Sequence, residues 1–158
     1  MSARSRRNTD VASTGKTSTI HHRVAFYETD AMGIVHHTNY VRYFENARVA
    51  WLDEHDRPYV WWQAEAGLDF AVTRVEASYV RSARFDDRLA ITTWMEWVRG
   101  ASLRMAYRVE REGEAIASGA TEHAAVDREG RVRRIPRERR LALGAAAGSG
   151  PGGRGDAD

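Results

Sequence analysis

The sequence predicts an α+β domain in which a five-stranded antiparallel sheet wraps around one central helix. Three observations lead to this prediction. One strand-like segment precedes the single long helical segment, four alternating segments follow it, and the helix is apolar on more than one side. A helix that is apolar on several sides has to be enclosed, whereas a helix on a flat sheet needs only one apolar stripe. The length of 158 residues is that of one domain.

The predicted elements follow one another with short turns between them. The long helix is expected at 40–55, where apolar residues recur at helical spacing, and Thr38 is its candidate N-cap. A short second helix begins at Pro58 and stops at Gly67. Period-two alternation and turn residues predict strands at 20–29, 68–80, 88–98, 101–111 and 114–126, with a short edge piece at 132–135.

The two ends of the chain differ in composition from the middle. Residues 1–18 are polar and without periodicity, and residues 142–158 are rich in glycine and alanine, so we expect disordered tails around a domain at 19–141. No segment resembles a secretory signal or reaches the length of a membrane span. The absence of cysteine excludes disulfides, a thiol nucleophile and cysteine-bound metals, and is compatible with a cytoplasmic location.

The formal net charge of +2 is unevenly distributed along the chain. Residues 1–20 carry +3 and residues 131–140 carry +5, whereas residues 21–130 carry −5. Positive charge is therefore concentrated in the extensions. The acidic body of the protein disfavours nucleic acid as a partner.

One segment holds the residues best suited to chemistry. Asp30 follows a strand-like run, Gly33 lies in a turn, and His36 and His37 precede the long helix. Backbone N–H groups at a helix N-terminus are unpaired and attract negative charge, so a carboxylate beside them suits attack on a polarised carbonyl. A cap or turn aspartate is the alternative interpretation. Adjacent histidines point in different directions, and no complete metal-ligand spacing is present, so we expect no metal.

The pattern Asp-x-x-Gly-Ile-Val-x-His-x-x-Tyr, which begins at Asp30, resembles the active-site segment of hotdog-fold acyl-CoA thioesterases. These form the 4-hydroxybenzoyl-CoA thioesterase-like family, and the chain is most similar to its bacterial short-chain acyl-CoA branch. The resemblance covers about residues 22–136 and includes the segments 79–87 and 99–104. It implies a hotdog fold, hydrolysis of an acyl-CoA to a carboxylic acid and free coenzyme A without a cofactor, and an active site between subunits of a homodimer or homotetramer.

The resemblance also implies roles for individual residues. Asp30 is the catalytic carboxylate, which attacks the thioester carbonyl directly or activates a water molecule. His37 contributes its backbone N–H to the oxyanion hole and assists catalysis. Gly33, His36 and Tyr40 belong to the oxyanion and substrate-binding part of the site, although core packing is the alternative for Tyr40.

Several points stay open at the level of sequence. Relatives often carry an active-site tyrosine four residues before the aspartate, where this chain has Phe26, with Tyr27 one residue later. A hotdog hydratase or dehydratase, with Glu45 as a proton-transfer group, and a non-enzymatic acyl-CoA binding module are the alternative functions. The candidate arginines for the phosphates of coenzyme A are Arg81, Arg84, Arg99, Arg104 and those of residues 131–140.

Overall fold

The computed structural model of the chain describes residues 15–148, which form one antiparallel sheet and three helices. The order of one strand, one long helix and four further strands confirms the predicted α+β class. The elements are β1 (Thr17–Arg23), a 3-10 turn (Phe26–Glu28), α1 (Thr38–His55), α2 (Tyr59–Ala64), β2 (Asp69–Tyr79), β3 (Arg88–Arg99), β4 (Ser102–Arg111), β5 (Glu114–Val126) and α3 (Arg137–Ala147).

The sheet has the strand order β1-β3-β4-β5-β2, and all four pairings are antiparallel. β1 and β2 therefore lie on opposite edges, although only α1 and α2 separate them along the chain. The connection between the two edge strands has to cross the sheet. Because α1 belongs to this connection, it lies across the centre of the sheet, as predicted from its several apolar sides.

The core lies between α1 and the inner face of the sheet. Phe44 of α1 stacks on Tyr107 of β4 with ring centroids 4.4 Å apart. A Cβ at position 119 of β5 would come within 2.5 Å of the Phe44 ring, so this close approach requires Gly119. Elsewhere on α1, Leu52 is buried, whereas Val49 is exposed. The buried helix residues are Asn39, Tyr40, Tyr43, Phe44, Ala47, Trp51 and Leu52.

The segment before α1 departs from the predicted strand at 20–29. β1 ends at Arg23, which pairs with Arg88 at the start of β3, so no partner strand continues beyond it. The chain then turns, and the Ala25 N–H donates to the Glu28 carboxylate across 2.7 Å. The expectation that Thr38 caps α1 is wrong, because His37 already has helical dihedral angles and occupies the N-cap position without a side-chain cap.

The N-terminal boundary at residue 19 also needs correction. β1 begins at Thr17, and the buried Ser18 hydroxyl donates to the Glu54 carboxylate across 2.6 Å. The Trp51 indole N–H donates to the Lys16 carbonyl across 2.9 Å. Residues 16–18 are thus packed against the far end of α1. The remainder of the predicted tail, residues 1–14, lies outside the described residues.

The C-terminal boundary at residue 141 is likewise too early. Helix α3 continues to Ala147, with Leu143 and Ala146 buried. Arg139 of this helix donates to the buried Asp56 carboxylate across 3.2 Å. The predicted edge piece at 132–135 is reduced to one bridge between Val132 and the end of β5. Residues 149–158 lie outside the described residues.

Within residues 15–148, the helices are too short or too polar to cross a membrane.

Candidate active site

The segment between the 3-10 turn and α1 folds into a tight hairpin. The Gly33 N–H donates to the Asp30 carbonyl, and the Asp30 N–H donates to the Ile34 carbonyl, both across 2.9 Å. Gly33 has a φ of +75°, a conformation that favours glycine and that closes this turn. Thr29 and Val35 pair as an isolated bridge at the base of the hairpin. The Gly33 N–H is consequently engaged within the turn.

The Asp30 carboxylate stands half-buried at the tip of this hairpin. Its Oδ1 accepts a 2.8 Å hydrogen bond from the Met32 N–H, which fixes the orientation of the carboxylate. Within residues 15–148, no lysine, arginine or histidine forms an ion pair with it. One carboxylate oxygen is therefore held by the backbone while the other is free to act on a ligand.

His37 lies directly before the first turn of α1, with φ −54° and ψ −29°. Among the described residues its backbone N–H donates to no acceptor, as is usual for the first N–H groups of a helix. Its carbonyl oxygen accepts hydrogen bonds from the Tyr79 hydroxyl at 3.2 Å and from the Tyr40 N–H at 3.4 Å. The His37 N–H is thus an unpaired donor at the positive end of a helix.

The rings of His36 and His37 stack with centroids 4.2 Å apart, so the expectation that these adjacent side chains point in different directions is wrong. The His36 N–H donates to the Glu28 carbonyl across 2.9 Å, and its Nδ1 lies 2.7 Å from the Thr38 hydroxyl. The backbone N–H and the ring Nδ1 of His36 are therefore both engaged within the protein. His36 supports the start of the helix and does not line the cleft described next.

A cleft of about 300 Å³ brings the predicted residues together with a second segment. Of the predicted site, Asp30, His37 and Tyr40 line this cleft, whereas Gly33 and His36 do not. The second segment runs from the end of β2 into the following loop, and sequence reasoning named only its Arg81, as a candidate for the phosphates of coenzyme A. The lining residues are Asp30, Met32, Ile34, Val35, His37, Tyr40, Tyr79, Val80, Arg81 and Ser82.

Tyr40 is both a core residue and part of the cleft wall. It is buried, and its ring packs edge-on against Tyr79 with centroids 5.2 Å apart. Burial raises the pKa of the Tyr40 hydroxyl, and the neighbouring Tyr79 adds to this effect. The hydroxyl therefore stays protonated and keeps its ability to donate a hydrogen bond.

Buried contacts hold the backbone behind Asp30. The Glu28 carboxylate is buried and accepts from the Ala25 N–H, and His22 Nε2 lies 2.8 Å from the same oxygen. Burial raises the pKa of Glu28, but the hydrogen bonds from Ala25 and His22 outweigh it and lower the pKa below its usual value. This carboxylate belongs to the framework of the site and does not line the cleft.

Other residues considered from the sequence lie elsewhere. Glu45 is exposed on α1 and does not line the cleft, which removes the carboxylate considered for a hydratase. Tyr27 is 84% exposed and also lies outside the cleft lining. Among residues 15–148, no group of three or more histidine, aspartate or glutamate side chains is arranged to hold a metal ion.

The candidate arginines separate into two groups. Arg99 stacks over the Trp97 ring at 4.3 Å, and Arg104 is enclosed by three carboxylates. Arg81 lines the cleft, with its Nε 3.3 Å from Glu114, and Arg84 Nη1 lies 3.5 Å from the Gly33 carbonyl. The carboxylates around Arg104, at 2.6 to 3.1 Å, are Glu76, Glu96 and Glu122.

Known proteins resemble this chain in sequence and in fold. Residues 24–143 match the thioesterase-like superfamily. A putative esterase of Aquifex aeolicus (strain VF5) is 36% identical over 116 residues, which are 73% of this chain and 89% of that protein. The acyl-CoA thioesterase YbgC of Haemophilus influenzae is 30% identical over 105 residues, 66% of this chain and 77% of that protein. The crystal structure of hypothetical protein TT1821 from Thermus thermophilus superposes with a TM-score of 0.75 at 35% identity, covering 81% of this chain and 95% of that chain.

Proposed function

The chain belongs to the thioesterase-like superfamily, and we propose that it is an acyl-CoA thioesterase in which Asp30 carries the hydrolysis. Water cleaves the thioester bond and gives a carboxylic acid and free coenzyme A. One observation supports this assignment above the others: Asp30 and His37 line the same cleft, and the His37 backbone N–H has no acceptor among the described residues. The first group attacks or activates water, and the second stabilises the negative charge that develops on the carbonyl oxygen.

The chemistry has two forms that share one geometry. In the first, the free oxygen of Asp30 attacks the carbonyl carbon, the thiolate leaves, and water cleaves the resulting anhydride. In the second, Asp30 takes a proton from a water molecule as that water attacks the same carbon. In the general-base form the water oxygen joins the acyl carbon, whereas in the nucleophilic form water attacks either carbonyl carbon of the anhydride and regenerates Asp30. In both forms a proton reaches the sulfur. The His37 and Tyr40 side chains line the cleft and are placed to assist.

We propose that the working unit is a homodimer, or a homotetramer built from it, formed along β2. β2 pairs with β5 on one side only, and its exposed residues include Val72 and Val75. Unpaired strand edges of this length are usually covered. Since Tyr79 and Arg81 lie at the end of this edge and line the cleft, a partner along β2 would stand next to the site. Sedimentation that finds a fully active monomer at micromolar concentration would contradict this proposal.

The proposal extends to the rest of the substrate. Arg81, which lines the cleft, and Arg84, whose Nη1 lies 3.5 Å from the Gly33 carbonyl, are better placed for the phosphates of coenzyme A than Arg104, which is enclosed by three carboxylates. Because the coenzyme A pool is intracellular, a cytoplasmic location belongs to the same proposal.

The direct test is release of free thiol from a panel of acyl-CoA substrates. In the variant Asp30→Asn, the amide oxygen can still accept from the Met32 N–H, so the hairpin is retained while the charge is removed. We expect turnover to fall by about 100-fold or more. The matched control is Asp53→Asn, an exposed carboxylate on α1, which should keep full turnover.

Circular dichroism serves as the folding control for both variants. Near-wild-type turnover of Asp30→Asn would show that the catalytic group is another residue. A non-enzymatic binding module would release no thiol in any variant.

A further inference from the structure

The carbonyl oxygen of Glu28 joins the two arms of the active-site segment. It accepts the His36 N–H across 2.9 Å and the Asn39 side-chain N–H across 2.8 Å. Glu28 lies two residues before Asp30, and its two donors stand one residue before and two residues after His37. A single acceptor thus ties the arm that carries the carboxylate to the arm that carries the unpaired N–H.

Asn39 is the part of this connection that is made by a side chain. It is 7% exposed, lies in the first turn of α1, and does not line the cleft. Its backbone N–H donates to the His36 carbonyl across 2.9 Å. A buried amide in a largely apolar environment is retained only when its hydrogen bonds are made, and the Nδ2–Glu28 bond satisfies this requirement.

We propose that Asn39 is a positioning residue that fixes the Asp30 carboxylate relative to the His37 N–H by holding the Glu28 carbonyl. This inference rests on the function proposed above. The Thr29–Val35 bridge and the turn closed by Gly33 define the shape of the hairpin itself. They do not define its tilt against α1, because neither contact reaches the helix. The Asn39 side chain does reach from the helix to the Glu28 carbonyl at the base of the hairpin, so it holds this angle together with the His36 N–H.

Loss of the Asn39 hydrogen bond should therefore lower the turnover number and leave substrate binding nearly unchanged. Small errors in the position of a reacting group reduce the rate strongly, whereas substrate contacts made elsewhere in the cleft stay in place. In the variant Asn39→Leu, which has a similar shape and no donor, we expect kcat to fall by roughly 10- to 100-fold. The KM should change by less than about threefold, since Asn39 does not line the cleft.

A matched control separates positioning from general stability. Thr93 is also buried, and its hydroxyl donates to the Ala106 carbonyl across 2.9 Å in the sheet. Thr93→Val therefore removes the same kind of bond away from the cleft, and it should lower Tm while leaving kcat within twofold. If Asn39→Leu lowers Tm in the same way and also leaves kcat within twofold, Asn39 is merely structural and the proposal is overturned.

A second measurement does not depend on activity. Amide hydrogen exchange at His36, whose N–H shares the Glu28 carbonyl with Asn39, should accelerate in Asn39→Leu and stay unchanged in Thr93→Val, and unchanged exchange in both variants would also overturn the proposal. If Asn39→Leu does not fold, Asn39→Ala takes its place in both measurements. Failure of the proposed function has a different signature, because the wild-type protein would then release no thiol from any acyl-CoA, while the exchange measurement would still decide whether Asn39 holds the hairpin.

Discussion

The hydroxyl group of Tyr79 donates a 3.2 Å hydrogen bond to the carbonyl oxygen of His37. Tyr79 is the last residue of β2 and His37 immediately precedes α1, so this bond joins the sheet edge to the N-terminus of the helix. Both residues line the cleft. The bond orients the backbone that follows the unpaired His37 N–H.

Loss of this hydroxyl should have a modest effect on catalysis. Tyr79→Phe removes one neutral hydrogen bond, typically worth about 0.5–1.5 kcal/mol, so kcat should fall by roughly 2- to 10-fold. Tyr27→Phe is the matched control, because the Tyr27 hydroxyl is exposed and lies outside the cleft lining. Steady-state thiol release measures both variants. Equal kcat values for Tyr79→Phe and Tyr27→Phe would contradict a role for the bond.

The backbone and side chain of His37 can be tested separately. His37→Ala keeps the N–H and should cost little, whereas His37→Pro removes it. The φ of −54° at this position already suits proline, which is well tolerated at helix starts. Loss of one oxyanion donor should lower kcat by about 100- to 1,000-fold. Thiol release with circular dichroism as control compares the two variants, and equal losses in both would place the chemistry on the imidazole, which both variants lack.

Stability should decrease in mild acid because of the buried His123. Its Nε2 lies 2.8 Å from the Thr121 hydroxyl. Burial, with a smaller contribution from Arg48, lowers the pKa of His123 to about 4. Below pH 6.5, the ordinary pKa of histidine, His123 binds a proton in the unfolded chain but stays neutral in the folded protein until the pH approaches 4. The contribution of neutral His123 to the free energy of unfolding is therefore complete above about pH 6.5 and is lost as the pH falls towards 4.

The size of this effect can be measured by urea denaturation at several pH values. A difference of two to three pKa units corresponds to about 3 kcal/mol of unfolding free energy, lost between pH 6.5 and 4. His123→Gln, which does not titrate, should show a distinctly shallower dependence over the same interval. Parallel curves for wild type and His123→Gln would show that other groups control acid stability.

Two N-terminal deletions should distinguish a domain that includes residues 16–18 from the predicted domain that begins at residue 19. Deletion of residues 1–14 should leave Tm almost unchanged, because their composition cannot form a core. Deletion of residues 1–18 removes the Ser18–Glu54 bond and the carbonyl that accepts from Trp51, and should lower Tm by roughly 5 °C or more. Thermal unfolding followed by circular dichroism compares the two. Identical Tm values would restore residue 19 as the effective start of the domain.

Strand ends were predictable where the chain marks them with its own turn residues. β5 was predicted with its observed bounds, Glu114–Val126, and it begins directly after Glu112 and Gly113, which both have positive φ. The end of β1 was predicted six residues too late, because Arg23 pairs with Arg88, which is the first residue of β3. A turn is encoded by consecutive residues, whereas the length of a strand depends on how far its partner strand extends.

Helix α3 was missed for a related reason. Its sequence combines an arginine-rich run with small residues, and only Leu143 and Ala146 of its members are buried. Two buried residues give too weak a periodicity to predict a helix. Their burial requires the neighbouring β3, and the helix is further held by the bond from Arg139 to Asp56.

By itself, the sequence determined the order of the elements, the enclosed helix and the segment from Asp30 to Tyr40, because periodicity and a short motif are properties of consecutive residues. Only the tertiary structure decided that Tyr79 to Ser82 form the opposite wall of the cleft and that Asn39 reaches the Glu28 carbonyl. The physical reason is the topology. β2 lies on the far edge of the sheet from β1, and α1 crosses between them, so residues about 40 positions apart meet at the start of the helix.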